Sequence, residues 1–190
     1  MWISIGYAIL CMSALWTNPI HRLAERKSFI MQKDLHAPDV ALRDRTEEHA
    51  AHFFAAAQSP EIKAVLPMKA QTLAEALADF RKTQEPGATS FGQTIYLNGQ
   101  YVGDIWCYCM DPDGDPQAML SYCVFASSAR GKGVATRAAA LFLQLIAQRF
   151  GIRRVGAFTY LFNTASIRVL EKNGFLLAET EDSSGYYVRE

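Results

Sequence analysis

From residue 39 onward, apolar and polar positions fall into short blocks whose period changes from one block to the next. Val40-Ala41-Leu42-Arg43 reads as a short strand. Thr46-Glu47-Glu48 opens a helix, with a capping hydroxyl and acidic residues where the helix dipole favours them. That helix runs to about Gln58 and stops at Ser59-Pro60. Thr72 and Glu75 form a capping box, and Leu73, Leu77 and Phe80 recur on one face of the helix it starts. Glu85-Pro86-Gly87 ends it. Residues 90–97 and 101–110 read as strands joined by Asn98-Gly99, a hairpin pair because both turn positions need positive φ. In Asp111-Pro112-Asp113-Gly114-Asp115-Pro116 the aspartates alternate as in a calcium loop. Pro116 occupies the required glycine position, however, and Tyr122 the closing glutamate position. The segment is therefore expected to be a turn between antiparallel strands.

The second half reads as strand, helix, strand. Residues 119–125 are an apolar strand, and residues 137–150 a helix with Ala138, Leu141, Phe142 and Leu145 as its apolar stripe. Gly151 ends that helix, with Arg149 in its last turn. Residues 154–160 follow as a strand, and this order implies a right-handed parallel crossover. Residues 163–173 are a short helix closed by Asn173-Gly174, and 175–178 and 186–189 are the last strands.

Composition narrows the function classes. The chain has 190 residues, half of them hydrophobic and a fifth charged, as in a soluble globular domain with an appendage. Lys+Arg and Asp+Glu balance at 19 each, so no overall field recruits nucleic acid. Of the four cysteines, Cys11, Cys107, Cys109 and Cys123, the Cys-x-Cys pair lies in a strand-like run, and both side chains are expected on one face. A zinc site would need more ligands at workable spacing, and the four histidines lie far upstream of the Cys-x-Cys pair, so buried free thiols and no metal site are expected. Residues 1–17 carry no charged side chain. The run is shorter than the ~20 residues of a spanning helix and lacks a basic leader. Three readings stand: an extension that packs on the domain or lies outside the natural product, with Met31 as the start; a membrane anchor flanked by Arg22, Arg26 and Lys27; or a targeting segment. The expected organisation is an extension over 1–38 and a folded domain over 39–190.

The chemistry concentrates at Ala129-Arg130-Gly131-Lys132-Gly133-Val134-Ala135-Thr136, between an apolar strand and a helix start. The first N–H groups of a helix have no partner within it, so such a turn binds anions. A nucleotide P-loop does not fit, because Val134 follows Gly133 where that motif places lysine.

Arg130-x-x-Gly133-x-Ala135 resembles the acyl-CoA pyrophosphate loop of the GNAT N-acyltransferase superfamily. Asn163-x-x-Ser166-x-Arg168-Val169-Leu170-Glu171-Lys172-Asn173-Gly174-Phe175 resembles that family's second signature. Leu42-Arg43-Asp44-Arg45-Thr46-Glu47-Glu48 is similar to the start of the branch that acetylates ribosomal-protein N-termini. The resemblance covers about residues 39–190. It implies an α/β (α+β) fold with a mixed, mostly antiparallel seven-stranded sheet and helices on both faces.

It also implies an N-acetyltransferase that uses acetyl-CoA and an amine acceptor, is cytoplasmic, and is a monomer or homodimer. The pyrophosphate would meet Arg130, Gly131, Lys132, Gly133, Val134, Ala135 and Thr136. The pantetheine arm would run along Cys123, Val124 and Phe125 and meet Asn163. An N–H near Cys123 or Val124 would face the thioester oxygen. Ser166 is the candidate acid for the leaving thiolate, since Leu170 stands where many relatives carry a tyrosine. Met119 stands where a glutamate base is common, so Asp104 is a candidate base if it faces the cleft. By alternation Tyr122 shares a face with Leu120 and Val124, as core or as a catalytic hydroxyl. Trp106, Tyr108, Phe158, Tyr160 and Phe162 are candidates for an acceptor groove or for sheet core. The rival class is a non-catalytic acyl-CoA-binding module, motivated by Met119 and Leu170.

Overall fold

The computed structural model describes residues 39–111 and 117–190. The readings of residues 1–17, of Met31, of Cys11 and of the Asp-Pro turn lie outside the described residues. β1 (Val40–Asp44), α1 (Glu47–Ala56), α2 (Pro60–Lys63) and α3 (Leu73–Lys82) come first. β2 (Phe91–Leu97), β3 (Gln100–Asp111) and β4 (Gln117–Val124) follow. Then come α4 (Val134–Phe150), β5 (Arg154–Tyr160), α5 (Thr164–Lys172), β6 (Leu176–Glu181) and β7 (Ser184–Arg189).

The strands form one seven-stranded sheet in the order β1-β2-β3-β4-β5-β7-β6. All neighbours are antiparallel except β4 and β5, which α4 connects as a crossover. The family expectation of a mixed, mostly antiparallel sheet therefore holds. One face carries the larger core, where Ala138, Phe142 and Ile146 of α4 and Leu170 of α5 meet Ile105, Leu120 and Val155. The buried stripe of α4 takes in Ala139 and Leu143 and leaves Leu141 and Leu145 half-buried, so it is rotated slightly from the expected one. On the other face Phe53 of α1, Ala57 at its C-cap and Ile62 of α2 cover Trp106, Cys123 and Phe125.

Local chemistry explains the boundaries. Thr46 and Thr72 each cap a helix through a capping box, the first completed by His49 and the second by Glu75. Ser59-Pro60 ends the first helical run and also starts α2, with Ser59 as cap and Pro60 in its first turn. Leu73 is exposed and only Phe80 of its row is buried. The Asn98-Gly99 turn has φ of 50° and 78°, as a tight hairpin needs. In β3 the expectation for Cys-x-Cys is corrected. Cys107 is buried, but the register slips between Tyr108 and Asp111, and Cys109 turns outward at φ 52°.

Candidate active site

β4 and β5 pair over only three residues, Gln117 with Arg154, Ala118 with Val155 and Met119 with Gly156. Beyond that the strands part, while β4 stays paired with β3 out to Val124. Residues 120–124 therefore face the fork with an edge that β5 does not fill. Such an edge accepts an extended amide-bearing ligand as an added strand. At its far end Ser127–Ala129 forms a 3-10 turn and the chain enters α4.

That helix start differs from the others. Among the described residues α1, α2, α3 and α5 are each capped by a side chain, from Thr46, Ser59, Thr72 and Asn163. The cap of α4 is Gly133 at φ 76°, with no side-chain hydrogen bond. Gly131 also sits at φ 73°, and a Cβ on either glycine would meet nothing within 4 Å. The left-handed backbone, not crowding, requires glycine here. The N–H groups of the first turn are left to an anion.

The Arg130 guanidinium, named for the pyrophosphate, makes three contacts within the chain. Its Nε donates to the Val124 carbonyl at 3.0 Å and its Nη2 to the Phe125 carbonyl at 3.1 Å. Its Nη1 meets Glu61 of α2 at 2.7 Å. Arg130 therefore ties the end of β4 to α2, and the exposed Lys132 stands beside the helix start. Asn173 joins the two signature segments: its Nδ2 donates to the Thr136 carbonyl of α4 and the Val169 carbonyl of α5.

Ser166 and Tyr122 come together. The Tyr122 Oη lies 2.8 Å from Ser166 Oγ and also donates to the Ser166 carbonyl at 3.2 Å. Burial pushes the Tyr122 hydroxyl up to about 12, with the Ser166 contact pulling back, so it stays protonated near neutrality. Asn163 caps α5 by accepting from the Ser166 N–H at 3.2 Å. Its side-chain oxygen is therefore engaged in holding Ser166. Burial likewise pushes the Cys123 thiol up to about 11, which keeps it a poor nucleophile.

Asp104 does not open on the cleft, which corrects the expectation for a base. It is 1% exposed, paired across the strands with Cys123 on the face covered by α1. Oδ1 accepts from Tyr101 Oη at 2.6 Å, and Oδ2 lies 2.9 Å from Arg45 Nε, as an ion pair off hydrogen-bond alignment. Burial raises the Asp104 pKa, while Arg45 and the Tyr101 hydrogen bond hold it back. Burial also raises Tyr101. His49 extends the cluster: its Nδ1 accepts from the Thr46 N–H at 3.2 Å, so the Nε2 hydrogen points at Tyr96 Oη, 2.9 Å away.

A β-bulge makes this cluster. Tyr101 and Asp104 are three apart and would face opposite sides of a regular strand. Ile95 pairs with Gly103 but Tyr96 with Tyr101, so Val102 is an extra residue that brings both side chains to one face.

Of the aromatic candidates, Trp106 packs under Phe53 at 5.7 Å. Phe158 and Phe162 are exposed, and Phe162 stacks on Tyr160 at 5.2 Å. Sequence reasoning missed Tyr186. A Cβ on Gly156 would lie 2.7 Å from both Met119 Sδ and Tyr186 Oη, so the Tyr186 ring leans over the last pair before the fork. A cleft of about 130 Å³ opens there, lined by Cys109, Met119, Gly156 and Tyr186 among others. The glycine at 156 was the one legible sign, since a strand interior otherwise disfavours it. A larger cavity, about 390 Å³, lies by Thr83, Phe91 and Arg149 and contains neither fork nor loop residues. Among the described residues no group of three or more His, Cys, Asp or Glu is placed to hold a metal ion, and no helix is long and apolar enough to cross a membrane.

The seven-stranded mixed sheet, parting beside an uncapped helix start, has the GNAT acetyltransferase fold. The model of the acetyltransferase (GNAT) domain matches residues 39–176, and the chain belongs to that family. It is an acyltransferase that takes an acetyl group from acetyl-CoA to an amine. Solved structures share the fold. The aminoglycoside acetyltransferase AAC(6')-Ib in complex with coenzyme A is 21% identical over 80% of this chain and 94% of its own, with a TM-score of 0.67. Mycobacterium smegmatis RimJ in complex with CoA-disulfide is 22% identical over 79% of this chain and 81% of its own, at 0.67. RimL, a ribosomal L7/L12 alpha-N-protein acetyltransferase, is 18% identical over 79% of this chain and 89% of its own, at 0.65. A search of curated proteins by sequence returns no match.

Proposed function

We propose that residues 39–190 form the catalytic unit and acetylate a primary amine, on a protein N-terminus or a small molecule, by direct transfer in the β4–β5 fork. The observation that carries this reading is the loss of pairing after Met119 and Gly156, next to the uncapped start of α4. Acetyl-CoA brings the acetyl thioester. The loop N–H groups from Gly131 to Thr136 hold its diphosphate, and Lys132 adds positive charge. The backbone of Cys123, Val124 and Phe125 serves as the rail for the amide-bearing arm. Arg130 and Asn163 position this apparatus, one by fixing the end of β4 and the other by fixing Ser166.

In the transfer the amine nitrogen bonds to the acetyl carbon, the carbon–sulfur bond breaks and the sulfur takes a proton. Ser166, hydrogen-bonded to Tyr122, is assigned to that proton. The acid need not be strong, because a thiol of pKa ~8.5 is a fair leaving group. The amine's proton goes to water, since Asp104 is enclosed and Met119 cannot accept it. A cytoplasmic location goes with three free thiols among the described residues, one of them exposed.

Ser166→Ala is expected to lower kcat roughly tenfold, less than usual for acid catalysis because the thiolate leaves readily. The Kd for CoA should hold steady. Tyr122→Phe should show a similar loss, and the double variant little more than either alone. Steady-state rates beside calorimetric CoA titrations check this; full activity in Ser166→Ala removes it from the mechanism.

A further inference from the structure

Directly paired residues share a face of a sheet, so the strand register maps the surface beside the fork. Met119 on β4, Gly156 on β5, Val188 on β7 and Leu176 on β6 form one row. The next row outward is Phe158, Tyr186 and Glu179, and the one beyond is Tyr160, Ser184 and Glu181. These rows lie on the side that α1 and α2 cover at Trp106 and Cys123, but the apolar cluster under those helices includes no residue of β5, β7 or β6. Phe158 is 63% exposed, and its ring sits 4.8 Å from that of Tyr186. Each outward row thus sets an aromatic ring on β5 and a carboxylate on β6 to either side of β7.

Aromatic faces attract cations through their quadrupole, and carboxylates attract them by charge. The nearest basic side chain in the register, Arg154, is directed to Glu190 at 3.4 Å. No ion pair within 4 Å is recorded for Glu179 or Glu181 among the described residues. The neutral chain as a whole does not produce this pattern; it is local to β5, β7 and β6.

We propose that this face is the acceptor subsite and that it selects amines bearing a second cationic group on a short apolar stem. The reacting amine lies at the fork by Tyr186 and Gly156. The stem runs along Tyr186, and the second cation sits one row out, over the Phe158 and Tyr186 rings in the field of Glu179 and Glu181. Adjacent rows are about 6.6 Å apart, comparable to the separation of the two nitrogens of a four-carbon diamine. This inference rests on the transfer reaction proposed above and names its substrate class. A linear diamine and a peptide N-terminus followed by a basic residue offer the same chemistry.

The test compares thiol release from acetyl-CoA with 1,4-diaminobutane against 1-aminobutane, and with an Ala-Lys peptide against an Ala-Glu peptide. The full-length protein is used, wild type and Glu179→Gln/Glu181→Gln and Phe158→Leu. The wild type is expected to favour the dication about tenfold in kcat/KM, and the double variant to bring that ratio to about two. The pair with the larger ratio identifies the source. A wild-type ratio near one in both pairs, or a ratio unchanged by the double variant, overturns the proposal. If no amine is turned over, the transfer reading fails by itself. Calorimetric titration of 1,4-diaminobutane into the CoA-loaded protein then decides this one: binding that weakens severalfold in the double variant supports it, and no binding to the wild type overturns it.

Discussion

Gly133→Glu should reduce CoA affinity by at least about 100-fold, equivalent to ~2.7 kcal/mol. Two effects add. Gly133 caps α4 at φ 76°, and a side chain in the left-handed region costs roughly 1–2 kcal/mol. The new carboxylate also stands at the N–H groups that would hold the diphosphate, in the open space that a Cβ finds there. Gly133→Asn separates the two, because asparagine tolerates this conformation and brings no charge. It should lose far less affinity than the glutamate variant. Calorimetry gives the affinities, and circular dichroism checks that the helix content survives. Equal, wild-type-like affinity in Gly133→Glu would mean that the diphosphate binds elsewhere.

Arg45→Met should destabilise the fold by about 3–5 kcal/mol at pH 8, because it leaves the Asp104 carboxylate buried without its cation. The pH dependence gives the mechanism away. Burial already raises the Asp104 pKa, and Arg45 is the first force opposing that rise. Without Arg45 the folded-state pKa climbs further above the unfolded value of ~3.9. A carboxyl with a raised folded pKa keeps its stability below the unfolded pKa and loses it as pH rises through the folded one. The deficit of Arg45→Met relative to wild type should therefore be large at pH 8 and shrink toward pH 5. Urea midpoints at the two pH values measure it. A deficit that grows on acidification would show that Asp104 is not the group left unpaired.

These two sites differ in how far the sequence reveals them. The turn at Gly133 depends on local chemistry, with glycines, a basic pair and a helix start within eight residues, and its position could be read directly. The Asn163 cap is also local chemistry, a short polar side chain directly before an amphipathic helix. The seven strands were likewise legible, since period-two blocks and the Asn98-Gly99 turn are local signals. The Asp104 cluster was not. Its geometry needs the extra residue at Val102, and a bulge is decided by pairing with β2, not by β3's own composition. Alternation carried through β3 separates Tyr101 from Asp104 for that reason, and a second slip, against β4 between Tyr108 and Asp111, misplaces Cys109. Tyr122 was correctly assigned to the face of Leu120 and Val124, but its meeting with Ser166 joins residues 44 apart in the chain. Tyr186 left only the strand glycine at 156 as a sign, because nothing near Tyr186 itself signals that its ring covers that position.

The depth of the fork also escaped sequence reasoning. The apolar run through residues 119–125 suits full pairing on both sides as well as one-sided pairing. Only the register shows that β5 leaves β4 after Met119. In the proposed mechanism that departure lets an acyl donor at the loop meet an acceptor, because it opens a backbone edge between the loop and the aromatic face of β5 and β7.

The most direct test of the account is thiol release from acetyl-CoA by the full-length protein across a panel of primary amines, read beside CoA binding. The account predicts amine-dependent release with an equal amount of N-acetylated product, lost in Gly133→Glu. Tight CoA binding with no release above background on any amine would contradict it and leave the fork a binding site alone.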